Sequence, residues 1–209
     1  MLSRSQFDIH LMHEEDRIPS LTLLMNSFFQ DEPLAKCLQL EDPIDFAKTV
    51  INDAINDQCS FVAYDTQTNQ LIGLCLNEIK YKTDTHVINE SNEKLCFILH
   101  LLHQMHKNIN LFDHFLTDSL LHIFIINVDQ NYRGYGLAST LISASINHAK
   151  QIHLSGAYAE ATNIYSLNSF KQQGFQVYDQ LNYVQYDQTR LANLTDKNSD
   201  QCQLVARTF

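Results

Sequence analysis

One apolar run and the stretch that follows it constrain this chain most. Residues 120–128 are almost unbroken Leu, Ile, Phe and Val, the pattern of a central strand covered on both faces. Directly after it comes NVDQNYRGYGLAST, and two of the chain's five glycines, Gly134 and Gly136, stand there one residue apart. A strand that stops, a glycine-rich turn and a helix that starts at once leave several backbone N–H groups pointing outward at a positive helix end. Such a nest suits an anionic group, typically phosphate. Glycines let the backbone approach such a ligand, and Arg133 adds a charged fork. From these residues alone, plain turn chemistry remains the other reading.

Two phosphate motifs do not fit. A Walker loop requires G-x-x-x-x-G-K-[ST], and no Lys follows either glycine; a dinucleotide fingerprint requires a third Gly, where this chain has Ser139 or Thr140. Periodicity around the run predicts an α/β chain. Expected strands are 6–13, FVAYD, QLIGLCLNEI, AYAEAT, 175–186 and a last one in CQLVARTF. Expected helices begin at Pro19 and after Pro43, run through Leu95, Ile98, Leu99, Leu102 and Met105, span about 136–152, and end near Gln173; 88–93 and 188–201 read as loops. No boundary or repeat divides the chain, so a single domain over 1–209 is expected.

Arg133-Gly134-Tyr135-Gly136-Leu137-Ala138 matches R-x-x-G-x-[GA] and resembles the acetyl-CoA-binding motif of the GNAT superfamily of N-acetyltransferases. The order of elements agrees over about 118–186: apolar strand, loop, long helix, AYAEAT, short helix, Gly174-Phe175. The resemblance implies an acetyltransferase fold, with a mixed, mostly antiparallel sheet, a splayed central strand and helices on both faces. It also implies acetyl-CoA as co-substrate, with no metal. The backbone of Ile126 and Val128 is then expected to hold the pantetheine arm, the loop from Arg133 to Ala138 the diphosphate, and Asn163 to contact CoA. Asn163 also suits a helix N-cap, and the two readings are compatible.

A second stretch, Phe28-Phe29-Gln30-Asp31-Glu32-Pro33-Leu34, resembles the F-F-x-x-E-P-L signature of insect-type arylalkylamine N-acetyltransferases. That resemblance implies Glu32 as catalytic base and parts for two hydroxyls, carried here by Thr162 and Ser166. The residue pattern by itself also allows a solvated carboxylate at a helix end. Many members of the superfamily place a tyrosine acid four residues before the G-F pair; here that position is Phe170. His122 stands on the central strand as a rival base or a core residue, and His100, His103 and His106 drift around a helix instead of converging on a metal. Phe28, Phe29, Tyr64 and the aromatics of 112–115 can line an aryl pocket or fill a core.

Composition sets the outer bounds. Fourteen Lys and Arg against 24 Asp and Glu give a net charge of -10, the wrong sign for holding nucleic acid and the right one for attracting cationic amines. No run approaches a membrane span and no leader-like segment begins the chain, so a cytoplasmic location is expected, with neither nucleic acid nor membrane as partner; the resemblance implies a small aromatic amine as substrate. Five scattered cysteines without C-x-x-C spacing read as reduced thiols.

Overall fold

The computed structural model describes residues 7–85, 88 and 90–209. Gln6 of the expected first strand and Asn89 of the expected 88–93 loop lie outside them. Among the described residues the strands are β1 (Phe7–Leu11), β2 (Phe61–Asp65), β3 (Leu71–Tyr81), β4 (Ser119–Val128), β5 (Gly156–Ala161), β6 (Gln176–Asn182) and β7 (Gln201–Thr208). They form one sheet in the order β1-β2-β3-β4-β5-β7-β6. Every neighbouring pair is antiparallel except β4 and β5.

Helices cover both faces. On one side lie α7 (Leu137–Gln151) and α8 (Ile164–Gln172), whose Leu141, Ile142, Ile146 and Leu167 pack on Leu121, Ile123, Ala157 and Ala159. The other side carries α1 (Arg17–Leu23), α4 (Ile44–Asn56) and α5 (Glu93–Gln104). There Leu24, Val50 and Ile51 meet Leu74, Leu76 and Ile125, while Ile98 and Leu101 meet Tyr158 and Leu204. The α7 helix is also pinned by a buried polar cluster. Asn77 Nδ2 donates to Ser145 Oγ at 2.9 Å and to the Cys59 carbonyl at 2.6 Å, so these groups enter the interior with partners.

The apolar run is indeed the central strand, with one feature its pattern conceals. Leu76 pairs with Ile125 but Asn77 with Ile123, so Phe124 is an extra residue in β4, a β-bulge. The inserted residue reverses the alternation. Leu121 and Ile123 face α7, and so do Ile126 and Val128 beyond the bulge, while Ile125 joins the cluster on the opposite face.

Three elements depart from expectation. The first helix starts at Arg17, after a 3-10 turn Glu14–Asp16, so Pro19 sits inside its first turn, where the missing N–H costs nothing. It continues as a π turn, Leu24–Phe28, and a last α turn, α2 (Phe29–Asp31). The expected strand 175–186 ends at Asn182, whose side chain caps α9 (Tyr183–Tyr186) by accepting from Gln185 N–H. Tyr183 turns into the core and donates its hydroxyl to the Thr162 carbonyl at 3.0 Å. Finally, α6 (Leu111–Phe115) has too short an apolar pattern to show a period, although Asn110 caps it. No helix among the described residues is long and apolar enough to cross a membrane.

Strand β7 lies so close to β5 that a Cβ at Gly156 would sit 2.6 Å from the Arg207 carbonyl oxygen. Gly156→Ala must push the strands apart. We expect a loss of about 1–3 kcal/mol, read as a fall in thermal midpoint; an unchanged midpoint would contradict this packing.

Candidate active site

Strands β4 and β5 pair only through Leu121 with Ala157 and His122 with Tyr158. Beyond those residues they diverge. Asp129 N–H bonds the Ile72 carbonyl, so in the antiparallel ladder with β3 the backbone groups of Asp129 and Asn127 point towards β3, and those of Val128 and Ile126 point into the gap. The gap opens into a cleft of about 880 Å³.

At its mouth the loop after β4 folds as the glycines require. Gly134 and Gly136 hold φ of 83° and 79°, in the left-handed region, and a Cβ at either would meet nothing within 4 Å. Neither glycine is there to admit a neighbouring side chain. Gly136 starts α7 without a side-chain cap, so the first N–H groups of a 15-residue helix are left for another acceptor. These open positions and uncapped donors fit the diphosphate of CoA. Ile126, Val128, Arg133, Gly134, Gly136, Leu137 and Ala138 all line the cleft. Tyr135 does not; its side chain projects outward and is 52% exposed.

Arg133 is placed differently from the expected phosphate fork. Its Nε donates to the Val128 carbonyl at 2.8 Å, and its Nη2 to Asp31 at 2.6 Å and Ser27 Oγ at 3.2 Å. Ser27 in turn donates to Asn127 Oδ1 at 3.2 Å. The guanidinium therefore ties the glycine loop to the turn carrying Glu32. No run of consecutive residues signals this, because Asp31 and Arg133 are 102 positions apart.

Glu32 ends the first helix and begins α3 (Pro33–Cys37). Its extended ψ of 124° precedes Pro33 at the first helical position. Oε2 accepts from Ala35 N–H at 2.7 Å, an N-cap; Oε1 is shut from solvent with no hydrogen-bond partner among the described residues. Burial pushes the carboxyl above its ordinary value, against the opposing pull of the Ala35 N–H and the nearby Thr162 hydroxyl. A carboxyl that is buried, half-satisfied and at a cleft is a candidate for proton transfer.

Thr162, Asn163 and Ser166 line the same cleft. Asn163 caps α8, accepting from Tyr165 and Ser166 N–H at 3.0 and 2.9 Å. Ser166 Oγ donates to the Asn163 carbonyl at 3.0 Å. Phe170 is core, packed on Phe175, and offers no proton. Tyr165, 71% exposed, does line the cleft.

His122 is a buried residue at the apex of the splay. Its Nε2 meets Glu160 Oε2 at 2.7 Å, and its ring stacks on Tyr158 at 4.5 Å. Nδ1 lies 3.9 Å from Glu78, too far for a hydrogen bond. Burial alone would lower this imidazole, but Glu160 and Glu78 outweigh burial and raise it to about 9, leaving it a cation and no base at neutral pH. His106 holds the other oxygen of Glu160 at 2.5 Å. Glu160 belongs to no motif. Its only signal is position, a charge on the same strand face as buried Tyr158.

Residues 22–175 match the model of the acetyltransferase (GNAT) family. The chain belongs to that family. Members of that family use acetyl-CoA, which agrees with the uncapped helix and open glycines described above. Among solved structures, arylalkylamine N-acetyltransferase 2 from Aedes aegypti superposes with a TM-score of 0.87 at 24% identity, covering 97% of this chain and 98% of that one. A putative arylalkylamine N-acetyltransferase 7 from the same mosquito gives 0.86 at 19%, over 97% and 87%. A Drosophila melanogaster polyamine N-acetyltransferase that forms N-acetylagmatine gives 0.79 at 17%, over 97% and 100%. At these identities the likeness is one of fold.

Because the Glu32 carboxyl is raised in the folded state, its ionisation works against folding. That cost is absent below the ordinary carboxylate value, grows as pH rises towards the raised one, and is constant above it. A glutamine keeps the cap without the charge. Glu32→Gln should therefore have a higher thermal midpoint than wild type at pH 8, with the difference shrinking towards pH 4. Equal midpoints at pH 8 would contradict the burial of this charge.

Proposed function

We propose that this protein transfers the acetyl group of acetyl-CoA to the primary amine of an arylalkylamine of the dopamine, octopamine, serotonin and tyramine class. The observation that carries this reading is Glu32: a carboxylate with one oxygen buried and without a hydrogen-bond partner among the described residues, in a cleft walled by Phe28, Phe29, Phe46 and Phe124 and continuous with the glycine loop. The two mosquito proteins named as arylalkylamine acetyltransferases support it through their shared fold.

An arylalkylamine has a pKa of about 10, like lysine, so it arrives as ammonium and cannot attack a thioester. The net charge of -10 favours its approach. Glu32 takes the proton, directly or through water, and burial is what gives its carboxylate the affinity to do so. Acetyl-CoA, when bound, supplies the activated acyl group. The N–H of Val128, turned into the gap, is placed to polarise an acyl oxygen there. The aromatic walls hold the ring and exclude water. Ser166 donates to a backbone carbonyl and is a neutral hydroxyl, so its contribution is positional. The neutral amine forms the C–N bond as the C–S bond breaks; the second proton of the nitrogen passes to the departing CoA thiolate through solvent or Tyr165, and Glu32 returns the first to solvent.

Thiol release with tyramine, dopamine and serotonin against agmatine, putrescine and spermidine tests the acceptor. Aromatic amines are expected to have the higher kcat/KM, and turnover confined to the polyamines would overturn the reading. With tyramine, Glu32→Gln should lose about 10²–10⁴-fold in kcat, and an equal rate would remove the base assignment. Ser166→Ala should lose at most about tenfold, the scale of one neutral hydrogen bond.

A further inference from the structure

Three carboxylates line the cleft, Asp31, Glu32 and Glu160; Asp31 is paired with Arg133, and the surroundings of the other two divide them. Glu160 stands at the floor, two residues before Thr162 on the strand. That spacing is about 7 Å, so Glu160 sits well away from the Glu32 end, in the direction of the apex. Its side chain is only 6% exposed. His106 Nε2 and His122 Nε2 clamp one oxygen each, at 2.5 and 2.7 Å. These histidines come from the turn just after α5 and from β4, so the carboxylate is fixed from two places besides its own strand.

An ionised carboxylate can accept about four hydrogen bonds, and the clamp uses two. We infer that Glu160 is a specificity-determining residue of the amine subsite, its carboxylate accepting a hydrogen bond from a ring hydroxyl at the far end of the aromatic amine. This rests on the acceptor class proposed above and adds which aromatic amines are chosen. His106 and His122 are positioning residues that hold the acceptor in place.

The chemistry of the surroundings selects a hydroxyl over a second cation. His122, raised to about 9 by its carboxylates, balances the charge of Glu160, and the same contacts hold Glu160 well below the usual carboxylate range in spite of burial. Glu160 is thus a fixed acceptor that takes no proton, whereas Glu32 is raised and can. Two acids with environments that push them apart have separate roles. With its charge already compensated and Leu99, Leu102 and Phe124 on the neighbouring walls, the site favours a neutral donor on a flat apolar body. The walls alone cannot tell tyramine from phenethylamine, but a fixed carboxylate with acceptor capacity beyond its two clamping bonds can, because only the former brings a donor to it.

The test compares kcat/KM for tyramine, phenethylamine and 4-methoxyphenethylamine, with agmatine alongside, in wild type and Glu160→Gln. Wild type should prefer tyramine over both analogues by at least about tenfold, carried by KM, the scale of a hydrogen bond to a charged group. In Glu160→Gln the ratio should fall towards one. The ratio is internal to each protein, so partial loss of folded enzyme does not move it. If that variant does not fold, the methoxy analogue still decides in wild type, since it keeps the oxygen and lacks the donor. Turnover of all three without preference, or a preference that survives in Glu160→Gln, would overturn the inference and leave the aromatic reading intact. A preference for agmatine that disappears in Glu160→Gln would overturn it in favour of a cation. Turnover of no aromatic amine would remove both readings together.

Discussion

The site depends on two strands that begin as neighbours and part after two residue pairs. A gap of this kind in a sheet would normally close, because unpaired backbone groups are costly. It stays open because each wall is supported from behind. Strand β4 is paired with β3 along its length, from Ser119 with Tyr81 to Val128 with Gly73, and β5 is paired with β7 at six positions. The bulge at Phe124 adds twist where the separation begins. What remains is polar backbone on Ile126 and the N–H of Val128, facing the cavity, while the Val128 carbonyl is taken by Arg133 Nε.

Around that gap the charges are sorted by burial. At the mouth, helix N–H groups and glycines wait for an anion. On the wall, Glu32 is buried with one oxygen unsatisfied and is raised. On the floor, Glu160 is just as enclosed but doubly clamped, and is lowered. The same side-chain type is therefore pushed in opposite directions within one cleft, and the difference lies in what surrounds it. The Arg133 bridge to Asp31 joins the mouth to the wall. Both partners are close to half exposed, so the pair contributes little to stability and mainly fixes how the two signatures sit against each other.

Much of this was legible in the chain. The apolar run marked β4, the glycines and arginine marked the start of α7, and E-P within an aromatic helix end marked Glu32. Local patterns of that kind are written in consecutive residues. What stayed hidden depended on distance or register. A bulge cannot be seen in a strand whose residues are all apolar, because either phase reads the same; hence Phe124 was not singled out. His106 reads as a polar position on an amphipathic helix until it is seen beside a strand residue 54 positions away. Arg133 was read for its charge, which suits a phosphate, and its actual partners come from another signature. The strand expected to reach 186 stops at Asn182 because a cap and a buried tyrosine prevail over alternation.

The position of β7 has a consequence for biosynthesis. It follows β6 in the chain yet lies between β5 and β6 in space, with Leu204 opposite Glu160. While a nascent chain is emerging, the glycine loop, α7 and β5 are all made before the strand that backs β5. The cavity floor stays without support on that side until residues 201–208 arrive. Ribosomal products that stop short of them carry every motif of the family but lack the backing that keeps the wedge apart.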